Sequence, residues 1–502
     1  MKLVTDDLLN QAEQIRTEAL GNLDAASQSA LGQFFTPVRA AVLIASIPRL
    51  PEAGQVRLLD PGAGSGMLSA ALVARILTER PNLSVHVVAV ECDHLVVPYL
   101  RKTLEACSLV GGGRVIFDII EDDFIMAATG LDADERLVEH DLVVQNPPYA
   151  KLASSSAHRV AVRKAGVDAP NLYAAFLALG AAGLKQGGQL VAITPRSFCN
   201  GPYFGAFRSY LLDHITLDRV HVFESRSTVF AETGVLQENV IFSGTRRGVQ
   251  GAVILSVSNG HEDDAAQRSV AYRDAVHQDD PHRFIRIAAD EKDIETAEVM
   301  LALPCTLKEL GVEVSTGRVV DFRSRSALLT GPIPAANPLI YPGNLRGGGF
   351  EWPRQSIRKA QWFAPIDAKD KELLLPEGWY CVVKRFSAKE EKRRIVASVW
   401  SPHEVHGPVA FENHLNVFHV KGEGLDEETA RGLTVWMNST LVDRFFRTFS
   451  GHTQVNATDL RSMRFPTRDA LRQLGQYTGL LPSQTDVDQL VSAVVSASGI
   501  AE

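Results

Sequence analysis

The chain reads as a doubly wound, Rossmann-like α/β domain followed by a C-terminal domain of mixed α/β character. Up to about residue 245, short apolar runs alternate with segments of helical period. From about residue 301 the texture changes to short strands, Gly/Pro-rich turns and dispersed basic residues. Length agrees, because 502 residues exceed one ordinary core and point to two or three domains.

A helical lead-in, residues 1–30, is expected to precede Gly32-Gln-Phe-Phe-Thr-Pro37. The pattern then predicts a helix over 37–47, a strand at Val56 to Asp60, a glycine turn, a helix over 66–80 and a strand at Val85 to Glu91. Helix 94–107, strands 114–119 and 141–145, helix 171–185 and strand 189–194 continue the alternation. Strand-rich segments at 217–224 and 235–243 close the domain, which is given bounds of 31–245. Alternation at this spacing implies a mostly parallel sheet covered on both faces. The polar stretch 246–300 is read as a connecting region with some strand, and 301–502 as a second domain ending in a helical tail beyond Pro466.

Composition narrows the class. With 45% hydrophobic and 22% charged residues the chain is globular. Its apolar runs fall short of a membrane span and MKLVTDDLLN is no signal peptide, so a cytoplasmic protein is expected. Five scattered cysteines without a Cys-x-x-Cys pair argue against disulfides and zinc, and no metal is expected. A net charge of -8 excludes a surface that is basic everywhere but leaves room for a basic cleft.

Leu58-Leu-Asp-Pro-Gly-Ala-Gly-Ser-Gly66 lies between an apolar strand and an Ala-rich helix. Glycines at 62, 64 and 66 allow a sharp turn and a ligand close to the main chain, beside the positive end of the next helix. Glu91, closing the following strand, is placed to accept hydrogen bonds from two ribose hydroxyls. A dinucleotide or phosphate site is the usual alternative. There is no Walker lysine, and the Asp-Pro-Gly-x-Gly-x-Gly form resembles the first motif of S-adenosylmethionine-dependent methyltransferases instead. Asp123 and Phe124 follow the next strand, where a carboxylate and an aromatic ring suit an adenine, although a solvated acidic loop reads the same way. The Thr36 hydroxyl can hold the methionine end of such a cofactor; alone, Thr36-Pro37 is only a helix start.

Asp141-Leu-Val-Val-Gln-Asn-Pro-Pro-Tyr149 delivers Asn-Pro-Pro-Tyr from a strand onto a loop. By itself this is also an ordinary turn. Its chemistry suits an exocyclic amine on a planar ring, whose lone pair is delocalised. The Asn146 side-chain oxygen and the Pro147 carbonyl can accept both amino hydrogens, and Pro147 and Pro148 stiffen the loop. Tyr149 can stack on the ring, with Phe204 as first choice for the second face and Phe198 and Tyr203 behind it. In a duplex, such an amine is reached only by flipping the base.

The order Gly-Gln-Phe-Phe-Thr-Pro, Asp-Pro-Gly-Ala-Gly-Ser-Gly, Asn-Pro-Pro-Tyr and then a C-terminal domain resembles the gamma class of amino-methylating DNA methyltransferases. The segments Lys384 to Arg394, Phe411 to Asn416 and Gly451 to Leu460 resemble the PstI-like adenine methylases of type II restriction–modification systems. The resemblance covers residues 30–466. It implies N6 methylation of adenine in a short duplex sequence, with S-adenosylmethionine as donor. It also implies a methyltransferase domain over 31–245, a target-recognition domain over 301–502 and double-stranded DNA as partner. Thr36, Pro37, Asp60, Gly62, Ala63, Gly64, Gly66, Glu91, Asp123 and Phe124 would hold the cofactor, and Asn146 to Tyr149 the base. Asp122-Asp-Phe-Ile stands where the family often has Gly-Asp-Phe-Leu, leaving the Asp-Phe pair intact.

For the DNA itself, Lys384, Arg385, Lys392, Arg393 and Arg394 offer phosphate contacts, or else form a solvated charged helix. Arg323, with Arg318 and Arg325, is a second patch. His452, Gln454 and Asn456 are expected on a loop before a helix, where they can read base edges or bond the local backbone. The polar stretch 150–170 is expected to be mobile. Rival readings are a protein-glutamine methyltransferase, an RNA amino-methylase and a DNA-binding modification-complex subunit. With about 30 residues ahead of the first motif, any cognate endonuclease is expected to be a separate protein.

Overall fold

The structure is a computed structural model that describes residues 2–23, 35–130, 133–223, 238–258, 266–278, 280–288, 290–334, 336–387, 391–403, 405–450, 453–477 and 479–498. Its internal contacts divide the chain into two compact units, Met1–Ile287 and Ala288–Glu502.

The first unit is built on a nine-stranded sheet. Its strands are β1 Ala53–Pro61, β2 Asn82–Val90, β3 Val115–Ile120, β4 His140–Gln145, β5 Leu184–Pro195, β6 Arg219–Phe223, β7 Asn239–Thr245, β8 Val253–Ser258 and β9 Ala266–Val270. They lie in the order β3-β2-β1-β4-β5-β7-β6-β8-β9. The first five are parallel, β7 runs antiparallel between β5 and β6, and β9 is an antiparallel edge. The buried ends of β1 and β2 are near-continuously apolar, as strands covered on both faces must be. The helices are α1 Lys2–Asn22, α2 Val38–Ser46, α3 Met67–Glu79, α4 Val97–Gly111, α5 Phe124–Thr129, α6 Ala157–Lys164, α7 Leu172–Gly183 and α8 Gly205–His214. Helix α7 is apolar around its whole circumference and almost wholly buried, and the Asn171 side chain caps it by accepting from Ala174 N at 3.1 Å.

The strand order brings two loops of the first unit together. β1 pairs with β2 on one side and with β4 on the other, through Leu58↔Leu142 and Leu59↔Val143. The crossover direction reverses between β1 and β4, and open α/β sheets bind ligands outside the carboxyl ends of strands at such a switch point. The glycine turn after β1 and the Asn-Pro-Pro-Tyr loop after β4 therefore emerge side by side.

The sheet does not stop near residue 245. β8 pairs in parallel with β6 and carries β9, so the stretch read as a connector supplies two strands and the first unit runs to Ile287. Val-Ile-Leu-Ser-Val-Ser in β8 has the strand pattern expected of part of this stretch, and its pairing with β6 makes it part of the sheet. The stretch 150–170, expected to be mobile, contains α6, with Arg159 and Arg163 both paired to Asp168 at 2.8 and 2.9 Å.

The second unit joins an antiparallel four-stranded sheet of Glu313–Thr316, Leu415–His419, Tyr380–Lys384 and Ala397–Trp400 to a five-stranded sheet of short strands. Tyr380, Trp400, Phe411 and Val417 form its core. Helices Glu427–Met437 and Thr440–Phe449 follow, and the tail beyond Pro466 is helical over Arg468–Leu474 and Gln484–Ala497. No helix among the described residues is long and apolar enough to cross a membrane.

Candidate active site

A cavity of about 250 Å³ opens at the switch point. Of the residues expected to hold a cofactor, Thr36, Gly62, Ala63, Gly64, Glu91, Asp123 and Phe124 line it, together with Asn146 and Pro148 of the loop after β4. The turn is set by its glycines. Gly62 and Gly64 have φ of 70° and 55°, and a Cβ would lie 3.2 Å from the Phe176 ring at the first and from the Phe35 ring at the second. Gly66, at φ 84°, starts α3. Gly62 N and Ala63 N both donate to Val90 O at 2.9 Å, tying the turn to β2. Pro37 is the N-cap residue of α2 and does not line the cavity.

Two carboxylates sit under this turn. Glu91 accepts from Gly64 N and from Asp93 N, each at 2.9 Å, so its position is fixed by backbone donors. Asp60 is fully buried, accepts from the Ser69 hydroxyl at 2.6 Å, and leaves Oδ1 without a partner. Burial pushes the Asp60 carboxyl up to about 7, with the Glu91 charge adding to the rise, and burial likewise raises Glu91. Partial desolvation, with the Glu91 and Asp123 charges adding to it, pushes the Cys92 thiol up to about 12, so this exposed side chain stays protonated. Asp123 caps α5 by accepting from Met126 N at 2.9 Å, while its other oxygen lies 3.0 Å from His158 Nε2 on α6. Phe124 is buried, with its ring centroid 5.0 Å from that of Phe176.

On the opposite wall, Asn146 Nδ2 donates to Thr36 Oγ1 at 3.1 Å and Tyr149 OH donates to Asn146 Oδ1 at 3.2 Å. Burial raises the Tyr149 phenol and keeps it neutral. Tyr149 meets the edge of Tyr173 at 6.2 Å, and Tyr173 stacks on Phe204 at 5.5 Å with planes 21° apart. Phe204 thus belongs to the aromatic group next to the loop. Phe198 is fully buried core and Tyr203 is 84% exposed.

Sequence reading missed His158, Phe176 and Tyr173. The two aromatics lie in the apolar run 172–183, whose evenness reads as core, and His158 lies in the stretch taken as mobile.

The expected DNA-contacting residues separate into two groups. Arg394 is 1% exposed, with its guanidinium over the Phe446 ring at 5.3 Å, and its backbone N–H donates to Asp443 Oδ1 at 2.7 Å. Arg393 donates to Ser439 O and Gln484 Oε1 at 2.8 and 2.7 Å. Lys384 pairs with Glu391 at 2.8 Å, and Arg385 donates to Asn413 O and Gln454 Oε1 at 3.0 and 3.2 Å. Asn456 forms a capping box with Asp459. These side chains have partners within the second unit, and of the run 384–394 expected to meet phosphates it is Arg394 that is buried. Lys392 remains exposed, as do Arg323 and Arg325, with Arg323 5.4 Å over the exposed Phe322 ring. His452 lies outside the described residues.

Comparison with known proteins bears on the whole arrangement. A family model described as Eco57I restriction-modification methylase matches residues 120–230, the stretch holding Asp123, the Asn-Pro-Pro-Tyr loop and Phe204. Over 495 residues the chain is 38% identical to the type II methyltransferase M.PstI of Providencia stuartii, covering 96% of each chain. This chain belongs to the type II methyltransferase family of restriction–modification systems. The type II methyltransferase is also 42% identical over 463 residues to M.BsuBI of Bacillus subtilis, 90% of each chain. Among solved structures, the type IIL restriction-modification enzyme MmeI in complex with DNA matches in fold, with a TM-score of 0.57 at 12% identity over 99% of this chain and 74% of that one. As a family member the type II methyltransferase methylates DNA and uses S-adenosylmethionine.

The cavity fits that cofactor. A Cβ-free cradle at Gly62 and Gly64, a backbone-anchored carboxylate at Glu91 and an apolar lining of Leu68, Val90, Phe124 and Phe176 suit a nucleoside. Glu91, on the cavity wall, is disfavoured as an anion by burial, a cost that a cationic ligand relieves, whereas Asp60 and Gly66 lie behind the turn and do not line the cavity.

Proposed function

We propose that the type II methyltransferase methylates the N6 amine of an adenine flipped out of duplex DNA, at a defined sequence, and so protects cytoplasmic host DNA from a separately encoded endonuclease. The observation that carries this reading is the Asn146 side chain on a proline-stiffened loop, lining the same cavity as the glycine turn and flanked by an aromatic group.

S-adenosylmethionine supplies an electrophilic methyl on a sulfonium. Glu91 accepts the ribose hydroxyls, Asp123 and Phe124 hold the adenine end, and Asp60 and the glycine turn shape the remainder. Asn146 Oδ1 and the Pro147 carbonyl accept the two amino hydrogens of the target, which localises its lone pair toward the methyl. Pro148 removes a backbone donor and keeps the loop stiff. Tyr149 and Phe204 grip the ring, and Tyr173 packs against both. As the new carbon–nitrogen bond forms, the carbon–sulfur bond of the donor would break to leave a neutral thioether, and the cationic methylated amine loses one proton to solvent. Much of the acceleration comes from this positioning. The second unit reads the sequence, with Arg323 and Lys392 as its phosphate contacts.

The test is transfer of labelled methyl to plasmid DNA by the purified chain, beside RNA and protein in parallel reactions. Label in DNA alone is the expected outcome. Label in RNA or in protein glutamine would replace this reading with the corresponding rival.

A further inference from the structure

Asn146 works only if its carbonyl oxygen, and not its amide nitrogen, faces the target amine. Pro147 and Pro148 fix the backbone of the loop, but the outer torsion of an asparagine side chain is broad and a backbone cannot set it. Something lateral must.

The structure places two hydroxyls beside that amide. Tyr149 belongs to the same loop, three residues on, whereas Thr36 comes from a segment 110 residues earlier, is 6% exposed, and accepts from Asn146 Nδ2 at 3.1 Å. The preceding residue, Phe35, packs its ring on the turn where Gly64 leaves room. The pair Phe35-Thr36 therefore touches both halves of the site, one residue on each.

We propose that Thr36 is a positioning residue for methyl transfer: by taking the Asn146 amide hydrogen it turns Asn146 Oδ1 toward the target amine. This rests on the amino-methylation reading above, and it assigns Thr36 a role other than holding the methionine end of the cofactor. The hydroxyl oxygen has two lone pairs, so it can accept from Asn146 while its own hydrogen goes elsewhere. Without it the amide can flip, and a nitrogen donor then faces the amino hydrogens it should accept.

Thr36→Val keeps the shape and removes the hydroxyl; Thr36→Ser keeps the hydroxyl. With the full chain, cofactor affinity is read by calorimetry, methyl transfer by single-turnover rate, and folding by thermal unfolding. Thr36→Val is expected to slow transfer by about 100-fold with cofactor affinity and melting temperature little changed. Thr36→Ser should recover most of the rate, and adding Thr36→Val to Asn146→Ala should cost nothing further. A loss of cofactor affinity with an unchanged single-turnover rate would overturn the proposal, as would wild-type behaviour of Thr36→Val. If Asn146→Ala is inactive while Thr36→Val is unaffected, only this inference fails; if Asn146→Ala turns over normally, the amino-methylation reading fails first.

Discussion

The glycine turn of the first unit and the basic run of the second both stand out in the sequence, yet they have opposite fates. At the turn, Gly62, Gly64, Glu91, Asp123 and Phe124 converge on one cavity. In the run 384–394, Arg394 goes into the core, Arg393 bonds local acceptors and Lys384 pairs with Glu391. A turn is encoded locally, by residues that alone tolerate its backbone. A charge is encoded nowhere until its neighbours are known, because a guanidinium serves a phosphate and a buried Asp equally well.

The largest effect that sharpens this contrast is Asn146→Ala. It should slow methyl transfer by about 1,000-fold or more while cofactor affinity stays within a few-fold of wild type. Unchanged turnover would detach the loop from the chemistry. Next, Arg394→Ala should destabilise the protein by about 3 kcal/mol, read as a fall in melting temperature, because it empties a buried site near Asp459, a carboxyl that burial pushes up to about 6. An unchanged melting point with weakened DNA binding would return Arg394 to the interface.

A smaller effect concerns pH. Asp60 rises from an ordinary value of 3.8 to about 7 in the folded protein. Between those values the native state keeps a proton that the unfolded chain has lost, so stability without cofactor should fall as pH rises through this window. The limit is about 1.4 kcal/mol per pH unit. Asp60→Asn should flatten that slope in denaturant titrations; an identical slope would place the titrating group elsewhere. Smallest is Arg323→Ala, which should lower the salt slope of DNA binding by about one phosphate contact. A slope equal to wild type would clear Arg323 of that role.

How far the sequence was legible follows the same division. The parallel core was readable because each buried strand and each amphipathic helix declares its period, and β1 to β4 lie close to their expected bounds, while β5 starts at Leu184, ahead of the expected 189. Some strand was expected over 246–300, but nothing local in the six-residue pattern of β8 announces that it pairs with β6 and extends the sheet. In the site, residues that shape backbone were found, whereas Tyr173 and Phe176 were not, since an aromatic side chain that lines a cavity and one that fills a core look alike from sequence. His158 was missed for a different reason: its contact with Asp123 spans 35 residues and no local rule announces it.

The amine on which Asn146 and its aromatic neighbours are proposed to act is that of an adenine. Mass spectrometry of nucleosides from unmodified DNA incubated with the purified chain and S-adenosylmethionine tests it most directly. N6-methyladenine is the expected product, lost in Asn146→Ala; N4-methylcytosine, 5-methylcytosine or unmodified nucleosides alone would show that the target is not an adenine amine.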